Sequence, residues 1–186
     1  MEHDERRGDG WFRAKFNGFW FVCEAMDRTR AEASALLDAA LTLPAVVGTT
    51  PQVAGMTMGG LIAQMVIAEE TRYAAAVSVV GHSSFCQADP WCREAQAGSW
   101  CDQWSGRYAP QSHPERYTER PLLFIDGGLD TDCPAAINAE TVRLANAAGG
   151  TAEQFVDAAV GHGFSASMRE RYTVWVIAHG PQFRTP

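Results

Sequence analysis

The chain has 186 residues, 46% of them hydrophobic and 20% charged, which is the make-up of one ordinary globular domain with a sizeable core. Its net charge of -7 comes from 22 acidic and 15 basic residues, the basic ones scattered and all arginine except Lys15, which excludes the basic patch that a nucleic-acid partner needs. No apolar run approaches the roughly 20 residues of a membrane span, and Met1 to Arg7 has no apolar signal segment, so the expectation is a soluble, cytoplasmic protein without a membrane partner. The five cysteines, Cys23, Cys86, Cys92, Cys101 and Cys133, are odd in number and lack close pairs, which suits reduced thiols.

In chain order, apolar residues recur at helical spacing from Gly18 to Leu43, as in Phe19, Val22, Cys23 and Met26, then Ala33, Leu36, Leu37, Ala40 and Leu41. This predicts a long helix that stops at Pro44. Gln52 to Gly55 reads as a short buried strand entering a glycine-flanked turn, with a helix predicted from Gly59 to Glu70. Ala74 to Val80, Pro121 to Ile125 and Glu153 to Val156 read as three further strands, the first two continuously apolar, as strands covered on both faces are. Helices are predicted from Pro134 to Ala148, stopped by Gly149 and Gly150, and from Ala166 to His179, with Met168, Tyr172, Trp175 and Val176 as the buried stripe.

Strands alternating with helices predict an α/β fold with a mostly parallel sheet, whose ligands collect at the carboxyl ends of the strands. Residues 81–120 break the rhythm. This stretch, rich in Ser, Gln, Pro, Cys and Trp, reads as a lid or cap insertion within a single domain spanning 1–186.

Gly55-Met56-Thr57-Met58-Gly59-Gly60 falls at a predicted strand-to-helix junction. It resembles the nucleophile elbow of the α/β-hydrolase superfamily, G-x-S-x-G, in which small flanking residues allow a turn so tight that strand and helix nearly touch. Asp126-Gly127-Gly128-Leu129-Asp130, followed by Pro134, resembles that superfamily's H-G-x-x-D segment, and Val160-Gly161-His162-Gly163 resembles its histidine loop. His3-Asp4-Glu5-Arg6-Arg7 and Phe19-Trp20 are similar to an H-G-E-R segment and a downstream F-W of dienelactone-hydrolase-like and prolyl-oligopeptidase-like esterases.

The resemblance implies a truncated α/β-hydrolase fold and a triad in the order nucleophile, acid, base: Thr57, Asp130, His162. It implies an esterase or thioesterase acting on a small acyl ester without a cofactor, with the backbone N–H of Met58 in the oxyanion site. Each residue also has a plain reading: Thr57 as a helix N-cap, Asp130 as a turn cap, His162 as a loop histidine. Two departures weigh against turnover. A β-branched threonine sits poorly in a strained elbow, and the strands and H-G loop that supply the second oxyanion donor have no counterpart in the chain. A non-catalytic descendant that binds a ligand or a partner chain is therefore the alternative, and a lyase or cyclase using His162 and Asp130 without acylation a third.

Phe85, Trp91, Trp100 and Trp104 are candidates to line an apolar substrate pocket, or equally a small satellite core. Cys86, Cys92 and Cys101 with His82 or His113 have zinc-ligand chemistry, but no C-x-x-C spacing, so no metal is expected there. A sheet made of the later four strands leaves the elbow strand near an edge. Homodimerisation across that edge, or an antiparallel strand from Asp9 to Phe16, would satisfy its main chain.

Overall fold

A computed structural model of the chain describes residues 17–43, 51–81, 83, 106–107 and 109–180, and in its first helix the side chains from Glu24 onward. That helix, α1, spans Asn17–Leu41. It is followed by β1 (Gln52–Met56), α2 (Met58–Glu69), β2 (Ala75–Val79), a 3-10 turn (Pro114–Tyr117), β3 (Leu122–Gly127), α3 (Ala135–Ala147), β4 (Ala152–Asp157) and α4 (Ala166–His179). The four strands are all parallel and lie in the order β1-β2-β3-β4, with Ala54 opposite Val77, Ser78 opposite Phe124 and Ile125 opposite Phe155. The chain thus has the expected α/β architecture, and the parallel arrangement brings the carboxyl ends of all four strands to one edge.

Side chains alternate across a strand, so β2 and β3 feed two cores. Ala76, Leu122 and Phe124 face α2 through Leu61, Ile62, Met65 and Val66, joined by Met26 and Leu37 of α1 and Ala145 of α3. Ala75, Val77, Val79, Leu123 and Ile125 face the other way, onto Met168 and Trp175 of α4. Both strands are buried along their whole length, which is why they read as continuous apolar runs. The indole N–H of Trp175 donates to Glu153 at 2.9 Å, so the largest buried side chain leaves no polar atom unmet.

The predicted apolar stripe of α1 is wider than the one used. Met26 and Leu37 are buried, but Leu36 is 70% exposed, because one helical step of about 100° turns it off the face that meets α2. On that face Arg30 pairs with Glu69, and Arg72 with Asp38 and Glu70. The hydrogen bonds from Arg72 hold the Glu70 carboxyl down at about 2. Strand β3 runs two residues beyond the apolar run, through Asp126 and Gly127, because β4 continues to pair with it as far as Asp157.

Of the described residues in the 81–120 stretch, Gly81, Ser83, Ala109, Pro110 and Tyr117 are buried, and Tyr117 belongs to the α2-side core. Among the described residues β1 is an edge strand, with Ala54 and Met56 exposed. Asp9 to Phe16, the expected extra strand, lies outside the described residues, as does His3 to Arg7. No described helix is long and apolar enough to cross a membrane.

Candidate active site

Thr57 stands between the last residue of β1 and the first of α2, with φ 51° and ψ -116°. Its N–H donates to Val79 O at 2.8 Å, and its carbonyl accepts from Gly60 N at 2.9 Å and Leu61 N at 3.2 Å. These bonds hold a backbone conformation that costs a non-glycine residue about 1–3 kcal/mol. The neighbouring glycines show why the turn closes. A Cβ on Gly55 would lie 2.0 Å from Gly59 O, and one on Gly81 would lie 2.7 Å from Thr57 O. Strand, helix and the exit of β2 therefore meet backbone to backbone. Val80, at that exit, carries a second positive φ of 41° on a β-branched residue.

Asp130 lies in the loop after β3 and His162 in the loop after β4. The side chain of Asp130 is fully buried: its Oδ1 accepts from the N–H groups of Asp132 and Cys133, both at 2.9 Å, and its Oδ2 faces His162 Nδ1 at 2.8 Å. Such a contact fixes the imidazole orientation and directs the Nδ1 proton to the carboxylate, leaving Nε2 for a substrate or nucleophile. The two loops are laced by main-chain bonds from Gly128 N to Asp157 O and from Leu129 N to Val160 O, both 2.8 Å.

Asp157 anchors the histidine loop at its other end. Its carboxylate accepts from Ala159 N, from Ser165 Oγ at 2.7 Å and from Ser167 Oγ, and these hydroxyls, Ser167 foremost, draw its pKa below the usual range. Ser165 in turn caps α4 by accepting from Met168 N at 3.3 Å. Sequence reading did not single out Asp157. The signal available was an acid at a strand end with serines opening the following helix.

A buried polar network that sequence reading also missed lies beneath the acid loop. Asp126 is 0% exposed and accepts from Asn138 Nδ2 and Gln154 Nε2, both at 2.8 Å. Asn138 also donates to Gly81 O at 2.8 Å and accepts from the N–H and hydroxyl of Ser83 at 3.1 and 2.7 Å. Burial raises the Asp126 carboxyl from 3.8 to about 6, in spite of the two amide donors. The network ties the start of the 81–120 stretch to β3, α3 and β4.

Thr57 is exposed on the same edge of the sheet, but among the described residues its hydroxyl makes no hydrogen bond to His162. Met58, the next residue, opens α2, so its N–H has no carbonyl one turn earlier to meet. The proposed pocket residues Phe85, Trp91, Trp100 and Trp104 lie outside the described residues, as do His82, Cys86, Cys92 and Cys101. His113 is described, against Glu115 and the carbonyl of Gly106.

The fold has counterparts among known structures. The fold is similar to that of Pyrococcus horikoshii acylaminoacyl peptidase, with 14% identity, a TM-score of 0.68, and 81% of this chain and 27% of that one covered. It is similar to a Mycobacterium tuberculosis puromycin-hydrolyzing peptidase at 21% identity and a TM-score of 0.62, over 80% of this chain and 23% of that one. It is also similar to esterase PE8, at 13% identity and a TM-score of 0.62, over 86% of this chain and 64% of that one. The chain thus spans about a quarter of the length of the peptidases it resembles. Among curated proteins none matches it. The sequence profile of the prolyl oligopeptidase family matches residues 33–177, and the chain, with its α/β-hydrolase fold, belongs to that family.

Proposed function

We propose that the chain hydrolyses a small acyl ester or thioester through Thr57, Asp130 and His162. The observation that carries this reading is the contact between His162 Nδ1 and Asp130 Oδ2 at 2.8 Å, on the sheet edge where Thr57 occupies a strained, exposed turn. In the reaction Thr57 Oγ1 attacks the acyl carbon while His162 Nε2 takes its proton. The tetrahedral oxyanion rests on the Met58 N–H, and the leaving alkoxide or thiolate then receives the proton from His162. Water releases the acyl group by the same route in reverse. Asp130 holds the ring and stabilises the imidazolium, its carboxylate held in place by two backbone N–H groups.

Support beyond the geometry comes from family membership and from neighbours that include peptidases and an esterase. The experiment is cleavage of short acyl p-nitrophenyl esters by the purified chain and by His162→Ala. Cleavage that vanishes in the variant is expected, and equal rates in the two proteins would end the proposal.

A second reading, a ligand- or partner-binding module that keeps the elbow without the chemistry, is favoured by one observation: Thr57 Oγ1 is not hydrogen-bonded to the imidazole. The methyl of Thr57 also occupies space that the acyl group needs. Thr57→Ser separates the two readings, since it frees that space and the turn at once.

A further inference from the structure

We infer that Asp130, Cys133 and His162 form a binding site for a borderline-soft divalent cation of the zinc type. One carboxylate oxygen, the thiol sulfur and one imidazole nitrogen all lie within 4.8 Å of one another. Carboxylate, thiolate and imidazole are three of the donors that zinc takes, and three protein ligands with an open fourth position is a common arrangement around it.

The distances are close to what an ion requires. Bonds of about 2.0–2.3 Å at tetrahedral angles put ligand atoms about 3.3–3.7 Å apart. His162 Nδ1 and Asp130 Oδ2, now 2.8 Å apart, would open by less than about 1 Å, and the sulfur, within 4.8 Å of both, would close by at most about 1.5 Å. Side-chain torsions supply movements of that size. The backbone need not move: the N–H groups of Asp132 and Cys133 bind the Asp130 carboxylate, and the histidine loop is laced to the acid loop by Gly128 and Leu129.

Burial favours the site as well. Asp130 and Cys133 are both buried, which limits competition from water, whereas the His162 side chain is 30% exposed and leaves an entry path and room for a water as fourth ligand. The ion would take the place of the proton between His162 Nδ1 and Asp130. That proton and the thiol proton leave to solvent on binding, so affinity rises with pH.

Binding does not depend on the hydrolytic reading; only its consequence does. If His162 is the base, an ion at Nδ1 severs it from Asp130, and the site becomes a reversible off-switch for ester cleavage.

The test is a Co²⁺ titration of the full chain followed by absorption. A thiolate-to-cobalt charge-transfer band is expected, which disappears in Cys133→Ser, while His162→Ala weakens Co²⁺ binding at least about tenfold. Absence of the band, its persistence in Cys133→Ser through the other four cysteines, or unchanged affinity in His162→Ala each overturns the proposal. If Cys133→Ser does not fold, as judged by circular dichroism, the His162→Ala affinity decides, since that side chain is partly exposed and outside the core. The readout is independent of turnover, so failure of the hydrolytic reading leaves it intact. If the protein cleaves esters, Zn²⁺ should abolish cleavage and a chelator restore it.

Discussion

A Cβ on Gly127 would stand 2.1 Å from the carbonyl oxygen of Gly161, so the end of β3, where the acid-bearing loop begins, is in main-chain contact with the histidine-bearing loop beside His162. This approach is what makes a contact of 2.8 Å between Asp130 and His162 feasible across 32 residues of chain. Gly127→Ala should force the loops apart and destabilise the protein by about 1–3 kcal/mol, the usual cost of overpacking. Gly161→Ala, whose nearest neighbour is Leu129 O at 3.7 Å, should be close to neutral. Urea unfolding of the two variants checks the difference, and equal midpoints would refute the contact.

Thr57 carries its strain whether or not it is a nucleophile. Thr57→Gly should relax the positive φ and stabilise the fold by about 1 kcal/mol with an unchanged denaturant slope, net of the greater freedom of glycine in the unfolded chain. A destabilised glycine variant would mean that the threonine side chain holds the turn.

For Thr57→Ser the readout is catalytic. Removing the methyl should raise ester cleavage by at least about tenfold, equivalent to about 1.4 kcal/mol of barrier, if Asp130, His162 and the Met58 N–H are otherwise competent. No gain, together with ligand retention by both proteins, favours the binding module.

Asp126 should impart a pH dependence of unusual sign for a carboxylate. Its pKa is 3.8 as an ordinary aspartate and about 6 in the fold, so between these values the native state holds a proton that the unfolded chain has lost. Stability therefore falls as pH rises through that window and levels off above about 6, the full effect being on the order of 3 kcal/mol. The depressed carboxyl of Glu70 works the other way, its contribution being present above 4.5 and lost as pH falls towards 2. The two windows overlap only between 3.8 and 4.5. Asp126→Asn should flatten the slope between pH 4 and 6, measured as urea midpoints, and at neutral pH the charge penalty it removes is set against one lost amide hydrogen bond. An unaltered slope would show that another group titrates there.

Much of this protein was readable from local chemistry. The continuous apolar runs of β2 and β3, the glycines around Thr57, and the stop at Gly149 and Gly150 are signals within a few residues of where they act, so element order and the parallel α/β layout follow from the sequence. The positions of Thr57, Asp130 and His162 at strand ends belong to the same class of signal.

Which of these residues meet was decided only by folding. Asp130 and His162 follow β3 and β4, adjacent strands whose loops share main-chain bonds, so their side chains converge. Thr57 follows β1, three strand spacings or roughly 14 Å from β4 at the sheet, and no local pattern determines how far the loops lean across that distance. The burial of Asp126 among Asn138 and Gln154, and the approach of His162 to the turn that holds Asp130 and Cys133, likewise depend on packing between segments remote in sequence. Residue type specifies what a group can do chemically; its burial and its neighbours are properties of the assembled sheet and helices.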